Sequence, residues 1–166
     1  WRQSIYSNRI IKAMERNKVK KPTNAVLGFL FNYNYEQVVL VKKNRPSWQN
    51  RFLNGVGGKI EDGESSLQAM QREFEEEAGL QVLAWKYFCM IKEPEWHVEI
   101  FTSLYPVIDL STEVATMTDE EIIVINNLLL YPKNIISNLN WLIPMAKDAL
   151  VEKRLEFNGI IEYQNK

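Results

Sequence analysis

Apolar residues recur along this 166-residue chain in two rhythms. Residues 25–31 and 37–42 are β-rich runs separated by Asn32-Tyr33-Asn34-Tyr35-Glu36, the length and composition of a hairpin loop. Leu67, Met70, Phe74 and Ala78 instead recur at three- and four-residue steps, which predicts a helix over 66–78 with one apolar stripe. Ser65 or Ser66 can cap its start, and Gly79 ends it where a left-handed residue is wanted. Further strands are predicted at 83–91, 97–107 and 121–125, and a last amphipathic helix at 141–153. Residues 3–18 read as a helix that stops before Lys21-Pro22, because the residue preceding a proline is pushed out of helical conformation. Strands, a helix, more strands and a final helix predict a mixed sheet with helices against it, residues 22–166 forming one domain behind a basic helical segment 1–21. A polar, glycine-rich stretch at 44–63 is long for a loop and draws functional suspicion.

Composition narrows the chemistry. At 19.5 kDa, 46% apolar and 25% charged, the chain has the balance of a soluble single domain. Its longest apolar stretches fall far short of the roughly 20 residues a membrane helix needs. The opening segment has no apolar leader core, and the expected location is cytoplasmic. Cys89 and His97 are single, so neither an internal disulfide nor a zinc cage of Cys and His ligands is expected. A Ser-His-Asp triad would rest entirely on His97, which alternates with Val98 and Ile100 and reads as packed or surface. Cys89, between Phe88 and Met90, reads as buried and inert. Carboxylates are the plentiful reactive material, and they suit hard cations such as Mg²⁺. The net charge of −1 is unevenly spread: Arg2, Arg9, Lys12, Arg16, Lys18, Lys20 and Lys21 stand against Glu15, leaving segment 1–21 at +6 and the remainder at −7. The segment reads as a solvated basic helix docked through Ile5, Ile10, Ile11 and Met14, with a nucleic-acid arm as the alternative.

The acidic residues concentrate on the 66–78 helix. At about 100° per residue, Glu73, Glu76 and Glu77 fall on one arc roughly 100° wide beside the apolar stripe, while Glu75 points elsewhere. Carboxylates crowded in this way repel one another by a few tenths of a kcal/mol per pair, a penalty that a divalent cation removes.

Residues 58–80 fit G-x5-E-x7-R-E-U-x-E-E-x-G-U, with U a bulky apolar residue, at every fixed position. This resembles the Nudix box of the Nudix hydrolases. The resemblance covers 23 residues at a demanding spacing. It implies an α/β fold, an α/β/α sandwich with a mixed β-sheet, whose loop-helix-loop motif carries Mg²⁺-dependent hydrolysis of a nucleoside diphosphate linked to another moiety, with Mn²⁺ able to substitute. By the same resemblance, Glu73, Glu76 and Glu77 are the metal-binding and catalytic glutamates, and the carbonyl of Gly57 is a backbone ligand. Glu64 and Arg72 form a structural ion pair bracing loop against helix. Gly58, Gly63 and Gly79 fit tight turns. The base lies outside the box in some members; Glu120 and Glu121, before a predicted strand, are the candidates for base or additional metal ligand, against the reading of a solvated turn.

The approach Leu53-Asn54-Gly55-Val56-Gly57-Gly58-Lys59 is similar to that of relatives hydrolysing oxidised purine nucleoside triphosphates, which makes Asn54 and Lys59 candidate substrate contacts. An amide offers donor and acceptor together, which suits a purine edge, although Asn-Gly also favours a turn. Asn138 or Asn140 can read the base in the same relatives with Trp141 stacking, or can cap the last helix with Trp141 in the core. Arg45, Trp48, Gln49 and Arg51 offer phosphate or base contacts near the mouth of the site, or are simply mobile loop residues. Other signatures fit worse: the Ser-Gln-Pro-Trp run of NADH-directed members is absent, and Pro94 is close to, but not at, the position of a proline in ADP-ribose hydrolases. The expected reaction is cleavage of a nucleoside triphosphate, such as 8-oxo-dGTP, to monophosphate and pyrophosphate. ADP-ribose or another nucleotide sugar, an RNA 5′ end, and a non-catalytic nucleotide-binding role are the alternatives. Family members are often homodimers.

Overall fold

The computed structural model describes residues 21–126, 128, 131–151 and 159–163. The basic segment predicted as a helix over 3–18 lies outside them. In chain order the elements are β1 (Thr23–Asn32), β2 (Val38–Lys42), β3 (Leu53–Asn54), α1 (Ser66–Ala78), β4 (Lys86–Lys92), β5 (Trp96–Tyr105), β6 (Glu121–Ile125), α2 (Leu139–Val151) and β7 (Gly159–Glu162). Short 3-10 turns at Ser47–Gln49 and Leu110–Thr112 sit in the connections.

Among the described residues the strands form one mixed sheet. β1 runs parallel to β5 along its whole length and β4 runs parallel to β7, while β4–β5 and β2–β6 are antiparallel. Alternate residues feed two cores. Phe29, Phe31, Val38, Leu40, Cys89 and Ile100 face α2, packing on Leu139, Leu142, Ile143 and Ala146. Val26, Leu30, Val39, Val41 and Phe101 face α1, packing on Ala69, Met70, Phe74 and Ala78. Both faces being covered explains why β1 and β2 read as near-continuous apolar runs rather than as alternating ones. The result is the expected α/β/α sandwich.

One departure from regular pairing creates the site. β1 and β2 pair at Phe31 and Val38 and then diverge. The chain from Leu53 onward fills the fork: Leu53 and Asn54 pair with Lys42 and Val41, and the Val56 and Gly58 carbonyls accept from Gly28 and Val26 at 2.7 and 2.9 Å. The stretch predicted as a polar loop is thus pinned to the sheet at its C-terminal end.

α1 has the predicted bounds. Ser65 caps it in a reciprocal box with Gln68, and Gly79 closes it at φ 68° in the left-handed region. Leu67, placed on the apolar stripe by spacing, is 41% exposed, and Ala69 takes the buried position instead. β4 starts at Lys86 rather than at residue 83, because Val82 and Trp85 bury against α1 before the chain joins the sheet. α2 starts two residues earlier than predicted and tolerates Pro144 in its second turn.

Candidate active site

The site is assembled where the fork segment meets α1. Gly57 lies so close to the Val26 carbonyl that a Cβ there would collide with backbone. A Cβ on Gly58 would fall on the Glu73 carboxylate. The loop is therefore seated directly on β1 at Gly57, where only glycine fits, and the Glu73 carboxylate of α1 is seated directly on the loop at Gly58.

Arg72 is the organising cation. Its Nε and Nη2 donate to the two oxygens of Glu64 at 2.8 and 3.0 Å, a bidentate pair, and Nη2 also donates to the Lys59 carbonyl at 3.0 Å. Nη1 reaches Glu73 at 2.8 Å and Glu76 at 3.2 Å. The hydrogen bonds from Arg72 hold the Glu64 carboxyl below its ordinary value, and Glu64 in turn raises Arg72.

The three helix glutamates differ. Glu73 is largely buried and its carboxyl is raised by that burial, with Arg72 pulling the other way. Burial pushes the Glu77 carboxyl up to about 7; Glu73 and Glu120 add repulsion, while the Lys43 ammonium and a backbone hydrogen bond from Gly57 oppose it. One Glu77 oxygen is buried without any hydrogen-bond partner. Glu76 is 59% exposed, on the outer side of the arc.

Glu120 and Glu121 separate cleanly. Glu121 is exposed and pairs with Lys42 at 3.1 Å. Glu120 is only 4% exposed and accepts from the Asn44 backbone N–H at 2.8 Å and from the Lys43 ammonium. The solvated-turn reading of Glu120 does not hold, since β6 pairs with β2 and thereby brings residue 120 onto Lys43 and Asn44. Lys43 went unnoticed in the sequence; its signal was its place just past the end of β2, where the chain enters the fork. Among the described residues no three acidic, His or Cys side chains form a ready-made metal cage; Arg72 and Lys43 stand among the carboxylates instead.

Of the substrate candidates, Asn54 and the residues at the start of α2 lie at the other end of the fork, whereas Lys59 adjoins α1. Asn54 Oδ1 accepts from Gly55 N at 2.8 Å, the local turn that Asn-Gly favours, and its Nδ2 donates to Gln49 at 3.3 Å. Leu53 bonds to both Asn134 and Ile136, which carries the start of α2 alongside β3. There Asn138 Oδ1 is buried and unpartnered, so this side chain oxygen does not cap α2. Asn140 is exposed and donates to the Ser137 carbonyl at 3.0 Å. Trp141 packs against the α2-side core. Lys59 places its ammonium 5.8 Å from the Trp96 ring centroid. Trp48 is exposed, Arg45 pairs with Asp119 at 3.0 Å, and Arg51 is exposed. His97 is half-buried in β5. Cys89 is buried, and burial pushes its thiol up to about 12.

Comparison with known proteins agrees with this architecture. Residues 21–129 match the NUDIX domain family, and the chain belongs to the Nudix hydrolase family. It is 29% identical over 72 residues to an 8-oxo-dGTP diphosphatase of Buchnera aphidicola subsp. Schizaphis graminum (strain Sg), an overlap of 43% of this chain and 54% of that protein. The chain thus spans about half the length of this curated relative. The fold is similar to the NUDIX domain of Shewanella oneidensis NrtR complexed with ADP ribose (TM-score 0.65, 17% identity, covering 79% of this chain and 90% of that one). It is also similar to a MutT NUDIX hydrolase from Burkholderia pseudomallei (TM-score 0.62, 16% identity, covering 76% and 98%). Among the described residues, no helix is long and apolar enough to cross a membrane.

Proposed function

We propose that this protein is a Mg²⁺-dependent hydrolase that cleaves a nucleoside triphosphate to monophosphate and pyrophosphate, with an oxidised purine such as 8-oxo-dGTP as the preferred base. The observation that carries the catalytic reading is the buried, unpartnered oxygen of Glu77, set beside the largely buried Glu73 and the buried Glu120. A carboxylate oxygen left without a donor is costly unless a cation binds it. An all-oxygen donor set of Glu73, Glu76, Glu77 and the Gly57 carbonyl suits a hard divalent ion. Mg²⁺ there supplies neutralisation of the diphosphate oxygens and acidification of the attacking water. The chain's own residues do the rest. Arg72, anchored by Glu64, fixes the rotamer of Glu73 against Gly58. Glu120, held by Asn44 and Lys43, serves as the outside ligand or base.

The base preference is supported by Asn138, whose Oδ1 is buried without a hydrogen-bond partner at the start of α2, the segment that Leu53 of β3 bonds to through Asn134 and Ile136. The relative of 29% identity is named for 8-oxo-dGTP, which agrees. Of the candidates, Asn54, Asn140 and Trp141 already have local partners, and Lys59 is engaged with Trp96. The test is kcat/KM for canonical and oxidised (d)NTPs, ADP-ribose, NADH and capped RNA, for the protein and for Asn138→Ala. The reading requires the oxidised purine to lead and Asn138→Ala to erase its advantage. Strong ADP-ribose cleavage beside inert triphosphates would replace the substrate. Binding without turnover would make the protein a nucleotide-binding module.

A further inference from the structure

Lys43 is a lysine whose ammonium is drawn in among the carboxylates of the site. Its side chain is 16% exposed, far less than that of its neighbour Lys42 at 40%. The ammonium is bonded to Glu120, which is itself 4% exposed, and its charge is felt by Glu77. Burying an ammonium is unfavourable unless it is paired. A lysine stem can also retract toward solvent, whereas Arg72 is fastened at several points. The carboxylates thus have two internal cations: a fixed one on Glu64, Glu73 and Glu76, and a releasable one on Glu120 and beside Glu77.

We propose that Lys43 is the internal counter-ion of this centre, holding Glu120 until a divalent cation binds and takes its place. This rests on the reading that Glu77 and Glu120 are metal ligands. It adds that metal entry is an exchange of cations, with Lys43 freed toward solvent as the ion binds. The arrangement has two consequences. The empty site is spared the repulsion of Glu73, Glu77 and Glu120 and stays folded. The lysine also lowers metal affinity, because a like charge must be displaced.

Two measurements test the proposal, neither of them an activity. In the native protein, acetylation of lysines by an amine-reactive reagent is followed by mass spectrometry with and without Mg²⁺. Lys43 becomes several-fold more reactive when Mg²⁺ is added, while the exposed Lys42 is unchanged. An unchanged or slower Lys43 overturns the proposal. In the second measurement, Mn²⁺ binding without nucleotide is titrated calorimetrically for the protein, Lys43→Gln and Lys43→Met. Both variants melt lower than the native protein in EDTA yet bind Mn²⁺ about tenfold more tightly. Unchanged or weaker Mn²⁺ binding in the variants overturns it, since Lys43 would then only brace the ligands. Absence of Mn²⁺ binding in all three proteins would instead remove the metal site itself, a different failure.

Discussion

Replacing Arg72 by Gln removes the cation on which loop and helix are joined, and the cost can be worked from the geometry. The lost interactions are a bidentate pair to Glu64 at 2.8 and 3.0 Å, a 2.8 Å bond to Glu73 and a longer one to Glu76. Hydrogen bonds to charged groups contribute about 1.5–3 kcal/mol each, and breaking a buried pair costs about 3–5 kcal/mol, against about 0–1 kcal/mol for an exposed one. With the Arg72 and Glu64 side chains 24% and 14% exposed, the pair lies between these limits, at about 2–3 kcal/mol. For a chain of this length that lowers Tm by roughly 5–10 °C. Glu64 has a folded pKa below its ordinary 4.5, so its contribution is present above 4.5 and is lost as pH falls through the lower folded value. Urea unfolding of the protein and Arg72→Gln in EDTA should therefore differ by about 2–3 kcal/mol at pH 7 and converge as the pH drops below 4.5. A difference under about 0.5 kcal/mol at pH 7, or one that persists unchanged in acid, would refute the bracing role.

Gly58→Ala drives a methyl group onto the Glu73 carboxylate, so the variant keeps its circular-dichroism spectrum but binds Mn²⁺ at least about tenfold more weakly in calorimetry. Phe74→Ala empties a fully buried position against Trp85 and should cost about 3–5 kcal/mol in urea unfolding; a loss under 1 kcal/mol would contradict the packing of α1. Cys89, buried and with its thiol pushed up to about 12, should be silent to a thiol reagent at pH 8 and react at once in denaturant.

Much of the fold could be read because its signals are local. The α1 helix carries its own cap, stripe and stop within 15 residues, and both ends fall where Ser65 and Gly79 put them. β6 was legible for the same reason, its run of Ile and Val flanked by polar residues. What escaped was set by tertiary pairing. β3 has two residues and exists only because the β1–β2 fork has room for them. β7 is a four-residue strand whose sole partner among the described residues is β4. At the site, angular arithmetic put Glu76 on one arc with Glu73 and Glu77, but it could not tell that the arc's outer edge faces solvent. Nor could it choose between Glu120 and Glu121, since that depends on which face of β6 turns toward β2's end. Lys43 gave only the weak signal of its place past β2, because its ion-pair partner is a residue 77 positions away.

The central claim is that the buried glutamates around Glu77 make this chain a metal-dependent phosphoanhydride hydrolase. It is tested most directly by following 8-oxo-dGTP by ³¹P NMR with Mg²⁺ or EDTA, for the protein and for Glu77→Gln. The account predicts monophosphate and pyrophosphate with Mg²⁺ only, and a loss of about 10² or more in rate for Glu77→Gln. Turnover that survives EDTA, or that Glu77→Gln sustains at the native rate, would contradict it.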